Sequence, residues 1–366
     1  MTKPRARDLG LPFMGTPGEN NAITDVPGVL VGYTTLNDTV NGGDRRQVRT
    51  GVTVIHPRGL IATMQPIWAG IHRFNGNGEM TGVHWIEDAG YFASPIVLTN
   101  THAVGMAHHA TVRWMVEQYH TQFDSHHYWA LPVIAETYDG VLNNINGFPI
   151  QEEHVRHALN HATSGPIAEG NVGGGTGMIC YGFKGGTGTA SRCITLDDRQ
   201  YHLGVLVQAN HGQREWLSIL GVPVGQLLPQ APLPSRDQGS IIVVISTDIP
   251  MLPHQLRRVA KRATIGIGRN GTVGGNSSGD IFLAFSVANA MPMPQAASPR
   301  LTMDFVNDEH FDPIYEATAQ AVEESVVNAL VAADSMSTVK PTGQLIPAID
   351  HQELMATMRR YQHLPE

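Results

Sequence analysis

Cysteine is scarce in this chain: Cys180 and Cys193 are the only two among 366 residues. Two thiols cannot build a disulfide framework, and both are expected to be buried and reduced. Charge is sparse too, at 15% of residues, with Lys+Arg 24 against Asp+Glu 32 and a net charge of −8. No basic stripe exists, which argues against a nucleic-acid partner, and the acidic excess favours solubility. No run of about 18 apolar residues occurs, so no membrane span is expected. The basic stretch Met1–Asp8 has no apolar region after it. That pattern lacks a secretory signal, and a cytoplasmic location is the default expectation.

What is abundant is apolar side chain (42%) and glycine (39 residues). The combination fits a compact, turn-rich α/β protein with a large core. Short strands are expected at 28–33, 51–55, 95–99 and 131–135, bounded by Pro and Gly. The stretch 69–81 reads as glycine-rich and polar. Helical periodicity runs from His102 to Tyr119, with Val104, His108, Val112, Met115 and Val116 on one face. A short helix is expected from Glu152 to Ala162. Strands at 177–183, 189–196 and 203–209 resemble an antiparallel meander. Further on come helices at 253–264 (opened by Pro253), 313–333 and 353–361 (capped by Asp350), with a buried strand at 281–285. Sheets covered by helices follow from this alternation.

Several motifs weaken on inspection. Gly266–Gly271 matches G-x-G-x-x-G, but a helix precedes it, where a dinucleotide site needs a strand. Gly275–Gly279 matches G-x-S-x-G with Ser277 at its centre, yet a strand follows where a nucleophile elbow needs a helix. A Ser/Asn/Gly turn closing a hairpin is the plainer reading. His154, His157 and His161 have helical spacing, but no second cluster completes a zinc site, so they read as a polar helix face. His108–His109 and His126–His127 read as structural. The glycine runs 173–177 and 185–188 lack the Lys-Ser/Thr of a Walker loop and suit tight turns or close backbone approach. Glu136 and Asn210 stand at strand ends, where site residues often lie. An exposed acidic turn and a simple strand terminus remain the alternatives.

The junction Gly239–Ser240 is the most telling place. A Pro-rich segment, Val222 to Gln238 with Pro229, Pro232 and Pro234, meets the β-branched strand Ile241–Ile245. Read locally, it suits a flexible turn entering a strand. Its other reading is a nucleophile that becomes a new N-terminus when the preceding bond is cut. The freed α-amine, with an ordinary pKa of about 7.7–8.0, would be a base beside the hydroxyl.

These pieces together resemble one family. Asn77–Gly82, Leu98–Thr101, Glu136–Gly140, the glycine stretch 173–188, Val207–Asn210, Gly239–Ser240 and Asn276–Asp280 are similar, in order and over almost the whole chain, to the L-aminopeptidase D-Ala-esterase/amidase family, which includes the β-peptidyl aminopeptidases. The resemblance implies a four-layer α/β/β/α sandwich, like that of N-terminal-nucleophile hydrolases but with different connectivity. It implies a single domain that cuts itself at Gly239–Ser240 into an α chain, 1–239, and a β chain, 240–366. Ser240 would be the nucleophile in both self-cleavage and turnover, with Ser278 and Asp280 beside it. Some relatives carry glutamate where Asp280 stands. Asn210 would help hold the oxyanion, and Glu136 would receive the substrate's ammonium. The substrates implied are short peptides, amides or esters with a small N-terminal residue, β-amino acids included. No cofactor or metal is implied, and homo-oligomers of αβ units, commonly tetramers, are. Three rivals stand beside this reading: an ornithine acetyltransferase-like acyltransferase, whose nucleophile is threonine, a non-enzymatic binding protein on the same scaffold, and a metal hydrolase built on the histidines.

Overall fold

The computed structural model describes residues 3–38, 47–228 and 239–361. The segment Pro229–Gln238 of the Pro-rich linker therefore lies outside the described residues. In chain order, β1 (Leu30–Asp38) and β2 (Val48–His56) form an antiparallel pair. Then come β3 (Ile67–Arg73), α1 (Val83–Ala89), β4 (Tyr91–Phe92), β5 (Ile96–Asn100), α2 (Val104–Gln118), α3 (His120–Ser125), β6 (Val133–Thr137) and α4 (Glu152–Asn160). A small hairpin of β7 (Ile179–Cys180) and β8 (Phe183–Lys184) precedes the long pair β9 (Gly186–Leu196) and β10 (Arg199–Asn210). After α5 (Val224–Leu227), the unit β11 (Ser240–Thr247), α6 (Pro253–Arg269) and β12 (Ile281–Ser286) is a parallel crossover. The long α7 (Asp312–Val331) leads to the short pair β13 (Met336–Ser337) and β14 (Leu345–Ile346) and to α8 (His351–Arg360).

Two sheets carry the architecture, one ordered β1-β2-β5-β6 and one β4-β3-β12-β11-β10-β9. Ile55, Leu98 and Ala135 of the first meet Leu206, Ile242, Val244 and Leu283 of the second in one apolar cluster between the sheets. The alternate side chains Ile241, Val243 and Ile245 join a different cluster with Val259 and Ala263 of α6 and Val322 and Val326 of α7. Helices α2 and α4 cover the outer face of the smaller sheet, and α6 and α7 that of the larger. The result is the four-layer α/β/β/α sandwich expected above. It also explains the unbroken β-branched run 241–245. A strand covered on both faces has no solvent side on which a polar residue would be favoured.

Several expectations need correction. β3 lies between β4 and β12 in the larger sheet, although the stretch 69–81 reads in the sequence only as glycine-rich and polar. Gly70 interrupts its apolar run because α6 crosses there: a Cβ at Gly70 would lie 2.1 Å from the Arg257 nitrogen. Residues 177–183 do not form a meander strand; they turn through the separate hairpin β7–β8, and the antiparallel run is β9, β10 and β11. The buried face of α2 is Ala107, Ala110, Thr111, Trp114 and Met115, while Val116 is exposed. Small alanines let the helix sit close to its sheet, and they carry less weight in an apolar pattern than the valines. Helix α6 runs on to Arg269 and contains most of the G-x-G-x-x-G match. Cys180 is buried, but Cys193 is only half-buried. Among the described residues no helix is long and apolar enough to cross a membrane.

Candidate active site

Strand polarity gathers one constellation at a single edge of the larger sheet. Ser240 opens β11, and Asn210, the last residue of the antiparallel neighbour β10, is its register partner. On the other side β12 runs parallel to β11, with Ile242 opposite Ile281, so Ser278, Gly279 and Asp280 enter at the same edge. β3 is antiparallel to β12 and pairs Arg73 with Ile281, which delivers the following Phe74–Gly78 loop to that edge. β11 also lies across from β6 of the smaller sheet, whose end carries Glu136.

The contacts are specific. Ser240 is buried at 5% exposure, and its Oγ accepts a hydrogen bond from the Gly279 N–H at 3.1 Å. The Ser278 hydroxyl donates to Asp280 Oδ1 at 2.6 Å, and the Ile241 N–H donates to the same oxygen at 3.2 Å. The Asn75 amide donates to Asp280 Oδ2 at 2.9 Å, while the Asp280 N–H donates to Asn75 Oδ1 at 2.5 Å. Asn77 secures the same turn by donating from Nδ2 to the Ser277 carbonyl at 2.7 Å. Gly279 is pressed onto this loop, since a Cβ there would lie 2.4 Å from the Asn77 carbonyl. Buried carboxylates depend on such donors, because an uncompensated one would be costly.

Asn210 accepts from the Ile179 N–H at 2.8 Å and donates from Nδ2 to the Tyr138 carbonyl at 3.0 Å. A side-chain amide has two N–H groups, so this geometry commits one of them and leaves the second for another acceptor. Gly239 rests directly on the strand end: a Cβ there would lie 1.6 Å from the Asn210 carbonyl oxygen. Glu136 is buried, with Oε1 accepting from the Glu79 N–H at 3.0 Å and Oε2 from the Thr101 hydroxyl. Burial raises its pKa; the bonds from Thr101 and Glu79 oppose that, and the Glu79 charge reinforces it. Gly78 joins the two halves, since a Cβ at that position would meet Gly279 Cα at 3.1 Å and Glu136 Oε1 at 3.4 Å. Nearby, burial pushes the Asp139 carboxyl up to about 7. Complete burial likewise pushes His211, next to Asn210, down to about 3.

Ser240 and the three residues expected around it, Ser278, Asp280 and Asn210, therefore meet at one edge, and Glu136 reaches it through the Asn77–Glu79 loop. Ser277 does not take part as a nucleophile elbow: its residue is exposed, and the turn leads into β12, parallel to β11, so it closes no hairpin either. His154, His157 and His161 lie on α4 and after its end, in the outer layer over β1 and β2. Sequence reasoning missed Asn75 and Gly279. Asn75 sits in a turn-like Asn-Gly-Asn-Gly string, where asparagine has an ordinary conformational explanation. Gly279 acts through its backbone N–H, which no side-chain pattern reveals.

Comparison with known proteins places the chain in a family. The profile of peptidase family S58 matches residues 21–343. A β-peptidyl aminopeptidase from Sphingosinicella microcystinivorans is 48% identical over 99% of this chain and 93% of its own length. The structure of L-aminopeptidase D-Ala-esterase/amidase from Ochrobactrum anthropi, described as a prototype for the serine aminopeptidases and a new variant among the Ntn hydrolase fold, superimposes with a TM-score of 0.95. It shares 57% identity and covers 99% of this chain and 100% of that one. A Burkholderia sp. β-aminopeptidase gives a TM-score of 0.89 at 46% identity, covering 98% of this chain and 99% of its own.

Proposed function

Since this chain belongs to peptidase family S58, we propose that it is a self-processing serine aminopeptidase with Ser240 as its nucleophile. The observation that supports this most is the meeting of Ser240 Oγ with the Gly279 N–H, next to an Asp280 carboxylate that already accepts the Ile241 N–H. In self-cleavage, Ser240 Oγ attacks the Gly239 carbonyl carbon. The new C–O bond forms as the Gly239–Ser240 C–N bond breaks, and the hydroxyl proton passes to the departing nitrogen. Water then hydrolyses the ester, leaving a carboxylate on Gly239 and a free α-amine on Ser240.

That amine lies one residue before the Ile241 N–H held by Asp280, so the same carboxylate, with Ser278 behind it, can orient it. In turnover the neutral amine takes the proton from Oγ as Oγ attacks the substrate carbonyl. The Gly279 N–H favours the negative charge that grows on Oγ. The uncommitted N–H of Asn210 suits the substrate oxyanion, and one such donor is worth roughly 3–4 kcal/mol in related sites. The leaving amine is protonated by the Ser240 ammonium, and water releases the acyl group by the reverse path. Glu136 receives the substrate's own ammonium, which makes the enzyme an aminopeptidase. Substrates in this reading are short peptides, amides or esters with a small N-terminal residue, β-amino acids included. The family resemblance implies an oligomer, commonly four αβ units, working without cofactor or metal.

Intact mass and N-terminal sequencing test this directly. Two fragments are expected, one beginning Ser-Ile-Ile-Val-Val, with hydrolysis of small aminoacyl amides. The Ser240→Ala chain should stay whole near 39.7 kDa and inactive. Processing of that variant would remove Ser240 from the role.

A further inference from the structure

The three histidines on α4 and at its C-cap separate into a pair and an outsider once their hydrogen bonds are followed. The Thr34 hydroxyl donates its only hydrogen to the His154 carbonyl at 2.6 Å. Its 3.2 Å contact with His157 Nδ1 must then be donated by the ring, so His157 carries its proton on Nδ1. His161 Nδ1 lies 2.9 Å from the His157 carbonyl, which can only accept, so His161 also carries its proton on Nδ1. His154 is the reverse: its Nδ1 accepts from the Gln151 N–H at 3.0 Å, which puts its proton on Nε2. His157 and His161 thus both present a bare Nε2 lone pair, four residues apart on one helix face. Their rings stack with centroids 4.2 Å apart and planes 19° from parallel, and both side chains are exposed.

We propose that His157 and His161 form a two-point Nε2 chelate for a divalent transition-metal ion, with water filling the other positions. A ligating histidine typically donates its second ring N–H to a carbonyl or similar acceptor, which fixes the tautomer and the ring. Both rings already satisfy this in the metal-free fold. Metal–nitrogen bonds of about 2.0–2.1 Å need both Nε2 lone pairs to converge on one ion, so the near-parallel rings must turn toward each other out of their stack to bind. Arg156, the nearest cation along the helix, is engaged by Glu117 and Glu152. Among the described residues no group of three or more His, Cys, Asp or Glu is arranged for a metal, so the site is a surface chelate with an open coordination sphere. Imidazole donors favour Cu²⁺, Ni²⁺ and Zn²⁺ over Mg²⁺ or Ca²⁺. The site is independent of the peptidase chemistry.

Calorimetric titration of the untagged full chain with Ni²⁺ tests the proposal, with Mg²⁺ as the comparison. One Ni²⁺ site is expected, weakened at least tenfold in His157→Ala and in His161→Ala, and retained in His154→Ala. Thr34→Val removes the partner that orients His157 and should weaken binding roughly 10–100-fold without touching a ligand. Peptidase activity and melting temperature measured without metal show that each variant is folded. No saturable Ni²⁺ site, equal binding by wild type and His161→Ala, or loss of the site in His154→Ala would each overturn the assignment.

Discussion

Asn75 grips Asp280 from both ends, donating to its carboxylate at 2.9 Å and accepting from its backbone N–H at 2.5 Å. The double contact fixes the carboxylate so that Oδ1 faces Ser278 and the Ile241 N–H. In the proposed mechanism an acid shorter than glutamate reaches the freed amine of Ser240 only from a defined position, which Asn75 sets. Hydrogen bonds to a charged group contribute about 1.5–3 kcal/mol each. Asn75→Ala should therefore slow self-processing roughly 10–100-fold, read as a gel time course of the uncut chain. Asn75→Asp sets a second carboxylate beside Asp280. Like charge raises a carboxyl pKa, so the acid limb of its processing rate should move to higher pH. Wild-type rates in both variants would show that Asn75 only closes a turn.

Gly239 leads to a second prediction. No side chain fits where its Cβ would lie, 1.6 Å from the Asn210 carbonyl oxygen. Gly239→Ala must push the Gly239 carbonyl, the target proposed for Ser240 Oγ, away from the strand end. A displacement of about 1 Å can cost on the order of 100-fold in a positioned reaction. The alanine variant should accumulate as full-length chain while retaining its cooperative unfolding transition. Normal processing would mean that the clash is relieved elsewhere.

Much of this was legible in the sequence, and the misses have physical causes. The run 241–245 announced a strand covered on both sides because burial on two faces suppresses alternation. Asp350 and Pro253 announced helix starts through local chemistry, and the Asp350 carboxylate does accept the Glu353 N–H at 2.9 Å. β3 was hidden because its glycine answers to α6, which lies far along the chain. The buried face of α2 was misread because alanine packs closely without looking strongly apolar. Ser240, Ser278, Asp280, Asn210 and Glu136 came from the family resemblance, since each alone reads as turn or strand end. Asn75 and the Gly279 N–H were out of reach because their roles exist only where strand order brings four chain segments to one edge.

Strand order also governs what cutting can do. In the larger sheet β12 and β11 follow the junction, while β3 and β4 on one side and β10 and β9 on the other precede it. A chain cut at Gly239–Ser240 thus yields a fragment whose two strands are inserted between strands of its partner. The fragments cannot part without breaking both flanking ladders and the apolar clusters above and below them. They should run as two bands on a denaturing gel, elute together under native conditions, and unfold in one shared urea transition. Release of a folded smaller fragment under native conditions would contradict the interleaving.

Glu136→Gln should separate binding from folding. The glutamine keeps the shape but loses the charge proposed to meet a substrate ammonium, a charge-assisted contact worth about 1.5–3 kcal/mol. The ratio kcat/KM for free-amine substrates should fall roughly 10–100-fold, while self-processing, which involves no substrate ammonium, should proceed. Stability should move the other way. Burial raises the Glu136 pKa, so the folded protein holds this proton at pH values where the unfolded chain has released it. The resulting contribution is fully present below the ordinary carboxylate range and is lost as pH rises through the raised value. Wild type and variant should therefore melt at similar temperatures in acid, with the variant ahead as pH climbs above the ordinary carboxylate range. A variant that is less stable at high pH would mean that the ionised carboxylate is held by more than Thr101 and Glu79. An unchanged kcat/KM would place the ammonium elsewhere.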